Sequence, residues 1–164
     1  MTDQERWFFN NTEQHKIDMA ISDIKKSGLS FEVLAEAKIK IFNGTKKAIK
    51  KSLGYSMFDN HDIASTFNLI EIPYFDKNGN ALFTRYKLLT PLNVDGKKVK
   101  YLHPQDTAPT PYIPAGTWKV VNKPHEPIWI TEGEKKALKL IQHNRNAIAF
   151  SGVFNFRASE KSTD

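Results

Sequence analysis

Glu132 is the residue whose place in the sequence most clearly predicts chemistry. It ends the apolar run PIWIT and is followed at once by Gly133 and a lysine-rich helical pattern. Ligands and metals bind at the carboxyl ends of strands in open α/β sheets, where a carboxylate can ligate Mg²⁺ or act as a general acid or base. Gly133 would let the backbone turn sharply and admit a ligand closely. The alternative is that Glu132 is a first-turn helix residue stabilised by the helix dipole, and the local pattern leaves both open.

The helix that follows carries three lysines, Lys135, Lys136 and Lys139. Beside an acidic site they could hold phosphate, and otherwise they form the solvent face of the helix. We favour the solvent face for Lys139 and leave Lys136 open between the two roles. Glu134 is expected on the surface, where the helix dipole stabilises it.

Four cations and one tyrosine in the middle of the chain could contact nucleic acid. Arg85 and Lys87 stand two residues apart in one expected strand and therefore share a face, as do Lys98 and Lys100 in another. Tyr101 adjoins Lys100, and rings beside cations suit single-stranded nucleic acid, whose bases stack on rings while charge holds the phosphates. The alternative is that the rings of this segment fill a small core.

The distribution of charge favours the same class of partner. Residues 77–123 hold eight basic and two acidic side chains, which equals the net charge of +6 of the whole chain. Such a field favours a polyanion, although a lysine surface kept for solubility would give the same count. The absence of cysteine excludes disulfides and thiolate zinc sites, and no histidine pair has the spacing of a metal site.

Neither a membrane span nor a secretory signal is indicated. No apolar run approaches about 18 residues, and the amino terminus is polar and acidic rather than basic and then apolar. We therefore expect no membrane partner and a cytoplasmic location.

Three segments of different character must position these residues. Residues 1–60 read as a small helical unit, with Ile17, Ile21 and Ile24 at helical spacing, a stop at Gly28, and helix caps at Ser30 and Thr45. Residues 61–123 read as a basic β-rich subdomain. Its expected strands are 69–75, 81–89, 97–102 and a short piece at 118–121, and its first hairpin turns at Asn78-Gly79.

The third segment, residues 124–164, contains the strand before Glu132, a helix, and a second apolar run, 147–150, that ends at Ser151 and Gly152. We expect a buried parallel strand pair joined by the helix. The predicted class is α+β, with the third segment as an incomplete α/β half.

Motifs over residues 69–152 resemble the catalytic core of bacterial and phage DNA primases around their Toprim fold. The motifs are IPYFDKNGNALFTRYK, then KYLHP, ITEGEKKAL and AIAFSG. The chain is also similar to a Toprim-related domain of unknown function in replication proteins of phages, plasmids and integrated elements, often ahead of a helicase. That likeness adds SGLS, LGY, PYIP and GVFNF, in order, over roughly residues 13–156.

The resemblance implies roles for single residues. Glu132 matches the invariant Toprim glutamate, Arg85 and Lys100 match basic residues that hold template or nucleotide phosphates, and Gly152 matches the glycine after the second strand. Lys136 departs from the pattern, because primases carry an aspartate there. The Asp-x-Asp pair that supplies most metal ligands is expected beyond Gly152 and is not found there.

The resemblance therefore implies part of a mobile-element primase or primase-helicase. Its partners would be single-stranded DNA or a DNA/RNA hybrid and a helicase or another replication protein. Mg²⁺ would bind only if further residues complete the site. The alternative is a non-catalytic module with a degenerate Toprim fold that binds single-stranded DNA or a replication partner, and a Toprim nuclease also stays open.

Overall fold

The computed structural model describes residues 14–42, 46–54, 68–94 and 96–152. The helices are α1 (Gln14–Ser27), α2 (Phe31–Glu36), α3 (Lys46–Leu53), α4 (Ala115–Trp118) and α5 (Glu134–Gln142). The strands are β1 (Lys40–Ile41), β2 (Leu69–Phe75), β3 (Ala81–Val94), β4 (Lys97–Leu102), β5 (Trp129–Glu132) and β6 (Ala147–Phe150). The predicted α+β class is confirmed. The described helices are all too short or too polar for a transmembrane role.

The helical segment near the amino terminus follows its sequence signals. α1 buries Ala20 and Ile24, and the chain leaves it through Gly28, whose φ of +62° lies in the left-handed region that glycine tolerates best. Ser30 caps α2 as predicted, because its hydroxyl oxygen accepts a hydrogen bond from the backbone N–H of Val33 at 3.5 Å. The predicted cap at Thr45 lies outside the described residues.

Four antiparallel strands form the main sheet in the order β1-β2-β3-β4. The predicted hairpin turn is confirmed: the carboxylate of Asp76 accepts hydrogen bonds from the backbone N–H groups of Asn78 and Asn80, and Gly79 has a φ of +81°. β3 runs five residues past its predicted end at Leu89. It crosses Pro91 because the pairing with β4 is interrupted there by an irregularity between Lys87 and Leu92.

Each face of this sheet packs against a different apolar cluster. One face contributes Ile70, Ile72 and Tyr74 to a cluster that includes residues of α1, α2, α5 and β6. The other face contributes Leu69, Tyr86, Leu88 and Leu102 to a second cluster, which contains Ile49 and Leu53 of α3. Alternation along the strands therefore assigns neighbouring residues to opposite layers.

β5 and β6 form a separate parallel pair, joined by α5 as the sequence predicts. Ala147 and Ala149 of β6 are buried against Ala137 and Leu138 of α5. The expectation that β5 is buried is wrong for the described part of the chain, since Ile130 is 71% exposed and Trp129 is 53% exposed. β6 covers one edge of β5, and no described strand lies along the other.

The expected short strand at 118–121 is also wrong. Residues 115–118 form α4, which begins after Pro114. Thr117 is fully buried and explains the position of this turn. Its hydroxyl donates to the carbonyl oxygen of Ala147 at 3.0 Å and accepts from the N–H of Ala147 at 3.2 Å. The turn is thereby fixed to the start of β6.

The predicted three-way division of the chain stays a prediction. The structure adds that β1, from the first segment, pairs with β2 of the second. The first apolar cluster also contains residues from all three segments.

Candidate nucleic-acid cleft

A cavity of about 320 Å³ lies beside the carboxyl end of β5 and the start of α5. Its lining residues come from α1, β4, the end of β5 and α5: Ser27, Tyr101, Glu132, Gly133, Lys135, Lys136 and Lys139. We call this cavity the cleft. It brings together four residues that the sequence singled out for chemistry, namely Tyr101, Glu132, Gly133 and Lys136.

The turn between β5 and α5 shapes the cleft at Glu132. Glu132 is exposed and is the last residue of the strand, as predicted. Gly133 has φ +81° and ψ 142°, a conformation that a residue with a Cβ adopts only with strain. No side chain in the described part of the chain caps the first turn of α5. This end of the helix therefore presents backbone N–H groups and a positive dipole beside the carboxylate of Glu132.

Glu134 does not lie on the surface, where the sequence predicts it. It is 1% exposed rather than on the surface. Its Oε1 accepts a hydrogen bond from the Tyr74 hydroxyl at 2.7 Å and lies 2.5 Å from Nη1 of Arg85. The first residue of α5 thus forms a buried ion pair with the main sheet.

Arg85 joins this ion pair to the cleft. Its guanidinium carbon lies 4.4 Å from the ring centroid of Tyr101, in cation-π geometry. Burial works against the charge of Arg85, but Glu134 outweighs it and raises the pKa of the guanidinium. Burial, together with the charge of Glu134, raises the pKa of Tyr101 to about 12, so its phenol stays neutral. The Arg85 side chain is 12% exposed and does not line the cleft.

A second set of ion pairs fixes α1 against the cleft. Asp23 of α1 pairs with Lys87 of β3 through Oδ1 and with Nζ of Lys135 through Oδ2 at 2.8 Å. Lys135 also donates to the Ser27 hydroxyl at 2.6 Å. Burial raises the pKa of Asp23, but its two lysine partners outweigh this and the net pKa is lowered. For Lys87 burial prevails, and its pKa is lowered despite the partner carboxylate.

The other predicted residues lie elsewhere. Lys98 and Lys100 are exposed on β4, alternate with Tyr101 and do not line the cleft. Gly152 follows β6 with a φ of +137°. Lys139 lines the cleft but donates to the carbonyl oxygen of Gly28 at 2.5 Å. The phosphate-binding roles of Arg85, Lys87, Lys98 and Lys100 stay predictions, and for the first two the structure shows carboxylate partners.

The described residues do not fit a magnesium site. Mg²⁺ prefers several oxygen ligands in an octahedral arrangement. No group of three histidine, aspartate or glutamate side chains in the described part of the chain could hold a metal ion. Glu132 faces the cleft together with three lysines, one of which, Lys136, stands at the position of the expected aspartate. The prediction of Mg²⁺, which required residues beyond Gly152, stays a prediction.

A signal for the missed ion pairs is present in the sequence. Arg85 and Lys87 alternate with Tyr86 and Leu88, and Phe83 precedes them on the same face. Both faces of such a strand are apolar enough to be covered, and a covered cation needs a carboxylate partner. Glu134, next to the strand end at Glu132, was one available partner.

Comparisons with known proteins show similarity in fold. The family model described as "Domain of unknown function (DUF3854)" matches residues 117–164. No curated protein matches the chain. The E. coli primase catalytic core is similar at 21% identity and a TM-score of 0.54, covering 85% of this chain and 50% of that one.

Two further solved structures are similar. The DnaG primase catalytic domain bound to ssDNA has 18% identity and a TM-score of 0.54, covering 92% of this chain and 55% of that one. The Aquifex aeolicus primase (zinc binding and RNA polymerase domains) has 14% identity and a TM-score of 0.59, covering 89% and 40%. The chain spans about half the length of these structures or less. Its mixed α+β fold is therefore similar to that of the DnaG primase catalytic core.

Proposed function

We propose that the chain is a primase-related part of a DNA-replication protein and that it binds single-stranded DNA in the cleft. One observation carries this proposal: the same cavity is lined by Tyr101, Glu132 and three lysines of α5. A base could stack on Tyr101 while a neighbouring phosphate lies beside Lys136. The similarity in fold to a primase domain bound to ssDNA supports the same class of ligand.

The charges of the cleft favour an anion. Three lysines and one glutamate line it. Lys135 forms an ion pair with Asp23, and Lys139 donates a hydrogen bond to the carbonyl oxygen of Gly28. Lys136 is exposed and stands in the first turn of α5, where the positive end of the helix dipole adds to its attraction for phosphate. We infer that Lys136 makes the principal phosphate contact.

The test is binding of a fluorescently labelled single-stranded oligonucleotide, measured by anisotropy over a range of salt concentrations. Lys136→Ala should remove one phosphate contact and reduce the slope of log affinity against log salt by about 0.7. Tyr101→Ala should weaken binding about 5- to 150-fold, the loss expected for one stacked base. Lys123→Ala is the matched control, because Lys123 is exposed and does not line the cleft. Equal effects of Lys136→Ala and Lys123→Ala would refute the proposal.

The finer part of the proposal is that the module belongs to a mobile-element primase or primase-helicase that joins nucleotides with Mg²⁺. It is supported by the motif resemblance around Glu132. The second candidate is a non-catalytic module that binds single-stranded DNA or a replication partner. Two observations support it. Lys136 stands where primases carry an aspartate, and the described residues contain no group of three side chains that could hold a metal ion.

Catalysis separates the two candidates. Mg²⁺-dependent primer synthesis by this chain, lost in Glu132→Ala, would exclude the non-catalytic module. Synthesis that occurs only in a longer chain, and is again lost in Glu132→Ala, would show that this chain supplies part of a catalytic site. DNA binding without synthesis in either form would support the non-catalytic module. Binding of a DNA/RNA hybrid and of a helicase can be measured with the same proteins.

A further inference from the structure

Tyr101 contacts the guanidinium of Arg85 and also lines the cleft. The Arg85 guanidinium lies over the Tyr101 ring, with 4.4 Å between the guanidinium carbon and the ring centroid, and Tyr101 is one of the residues that line the cavity. Arg85 does not line the cavity and its side chain is 12% exposed, so it meets the ring largely away from solvent. A ring held in this way keeps one orientation, which lowers the entropy that a stacking base would otherwise have to remove.

Arg85 is itself fixed by buried groups. Glu134 binds it through Oε1, and the same oxygen accepts the hydroxyl hydrogen of Tyr74. The ring of Tyr74 is stacked on Phe83 at 4.5 Å between centroids and meets Tyr112 edge-on at 5.1 Å. The guanidinium is therefore held by a side chain that is in turn held by a packed aromatic group.

The charge of Arg85 is already matched. Glu134 is 1% exposed, and the Arg85 side chain is 12% exposed, so the two charges neutralise each other away from solvent. A phosphate in the cleft could contact the exposed side chain of Lys136, whereas Arg85 does not line the cleft. This arrangement differs from the role that the sequence predicts for Arg85, which is direct contact with phosphate.

We propose that Arg85 is a positioning residue that holds Tyr101 for stacking against a base of single-stranded DNA, and that Glu134 fixes Arg85 for this purpose. The inference rests on the proposed function, since it presumes a nucleic-acid base in the cleft. It assigns the base-binding role to Tyr101 and an indirect role to the ion pair beneath it.

The experiment uses the full chain and a single-stranded oligonucleotide that contains 2-aminopurine, whose fluorescence is quenched when the base stacks. Arg85→Met should reduce the quenching and weaken binding, by no more than Tyr101→Ala does. The double variant Arg85→Met/Tyr101→Ala should bind no more weakly than Tyr101→Ala, because both changes remove the same stacked base. The salt slope of Arg85→Met should equal that of the wild type.

Two further variants separate this role from a merely structural one. Arg85→Lys keeps a cation beside Glu134 but lacks the planar guanidinium, so it should fold like the wild type and still lose quenching. Lys40→Met is the matched control, because Lys40 pairs with Glu71 in the same sheet and does not contact Tyr101. It should leave the quenching unchanged.

Three results would overturn the inference and leave the proposed function standing. A salt slope reduced by about 0.7 in Arg85→Met would show a direct phosphate contact instead. Additive losses in the double variant would show independent roles for Arg85 and Tyr101. Quenching that is unchanged in both Arg85 variants would show that the ring needs no support. A wild-type chain that fails to bind the oligonucleotide would defeat the proposed function, and this inference with it.

Discussion

Replacing Glu134 by alanine should destabilise the fold by about 3–5 kcal/mol, the range for removing one partner of a buried ion pair. Glu134 is 1% exposed and Arg85 12% exposed, so water cannot replace the lost carboxylate well. The hydroxyl of Tyr74 loses its acceptor in the same variant. Glu134→Gln keeps an acceptor oxygen but leaves the charge of Arg85 unpaired, so it should destabilise the fold, by less than Glu134→Ala does.

The assay is equilibrium unfolding in urea followed by far-ultraviolet circular dichroism, with the free energies compared at a common slope. Glu132→Ala is the matched control: it removes a glutamate two residues away that is exposed. It should change the free energy of unfolding by no more than about 0.5 kcal/mol. Replacing both charges, as Arg85→Met with Glu134→Leu, should destabilise less than Glu134→Ala, because no buried charge is left unpaired. Equal losses for Glu134→Ala and Glu132→Ala would refute the reasoning.

Three other predictions concern stability. Asp23 has a pKa below its ordinary 3.8. Its stabilising effect is therefore complete above about pH 5 and is lost as the pH falls through the lowered pKa. Urea midpoints measured from about pH 6 to about pH 3 should then drop more for the wild type than for Asp23→Asn. Gly133→Ala should cost about 1–3 kcal/mol of thermal stability through backbone strain, whereas Gly116→Ala, in a helix with open space around it, should cost nothing. Thr117→Val should lower the free energy of unfolding in urea by about 1–3 kcal/mol, because the buried N–H of Ala147 loses its acceptor. A neutral result for the variant at Asp23, Gly133 or Thr117 would contradict the cause stated for that residue.

Local signals in the sequence were sufficient for most of the elements near the cleft. Helical spacing with a glycine stop gave α1, the Asn-Gly turn gave the β2–β3 hairpin, and the change from an apolar run to a lysine-rich pattern at Glu132 gave the β5–α5 turn. These signals act over a few residues, and so they can be recognised without knowledge of the rest of the fold.

The errors share a different cause, which is contact between residues far apart in the chain. Glu134 is buried because Tyr74 and Arg85, some 50 to 60 residues earlier, approach it. Residues 115–118 form a helical turn that overlaps the strand expected at 118–121, because Thr117 bonds to Ala147, 30 residues later. β5 is exposed because a strand's burial depends on which neighbours cover it, and its own apolar composition does not specify them.

The two-sided packing of β3 has a consequence for the integrity of the cleft. Arg85 and Lys87 face Glu134 and Asp23 on one side of the sheet, while Tyr86 and Leu88 belong to the second apolar cluster on the other side. A slip of the hairpin by one residue would exchange these faces, leaving both cations among aliphatic side chains and two large apolar groups opposite Asp23 and Glu134. The slipped register is disfavoured because it would leave the cations without carboxylate partners and would remove Tyr86 and Leu88 from the second apolar cluster. The second apolar cluster, on the face of the sheet opposite Arg85, therefore helps to fix the strand register on which the geometry around Tyr101 depends.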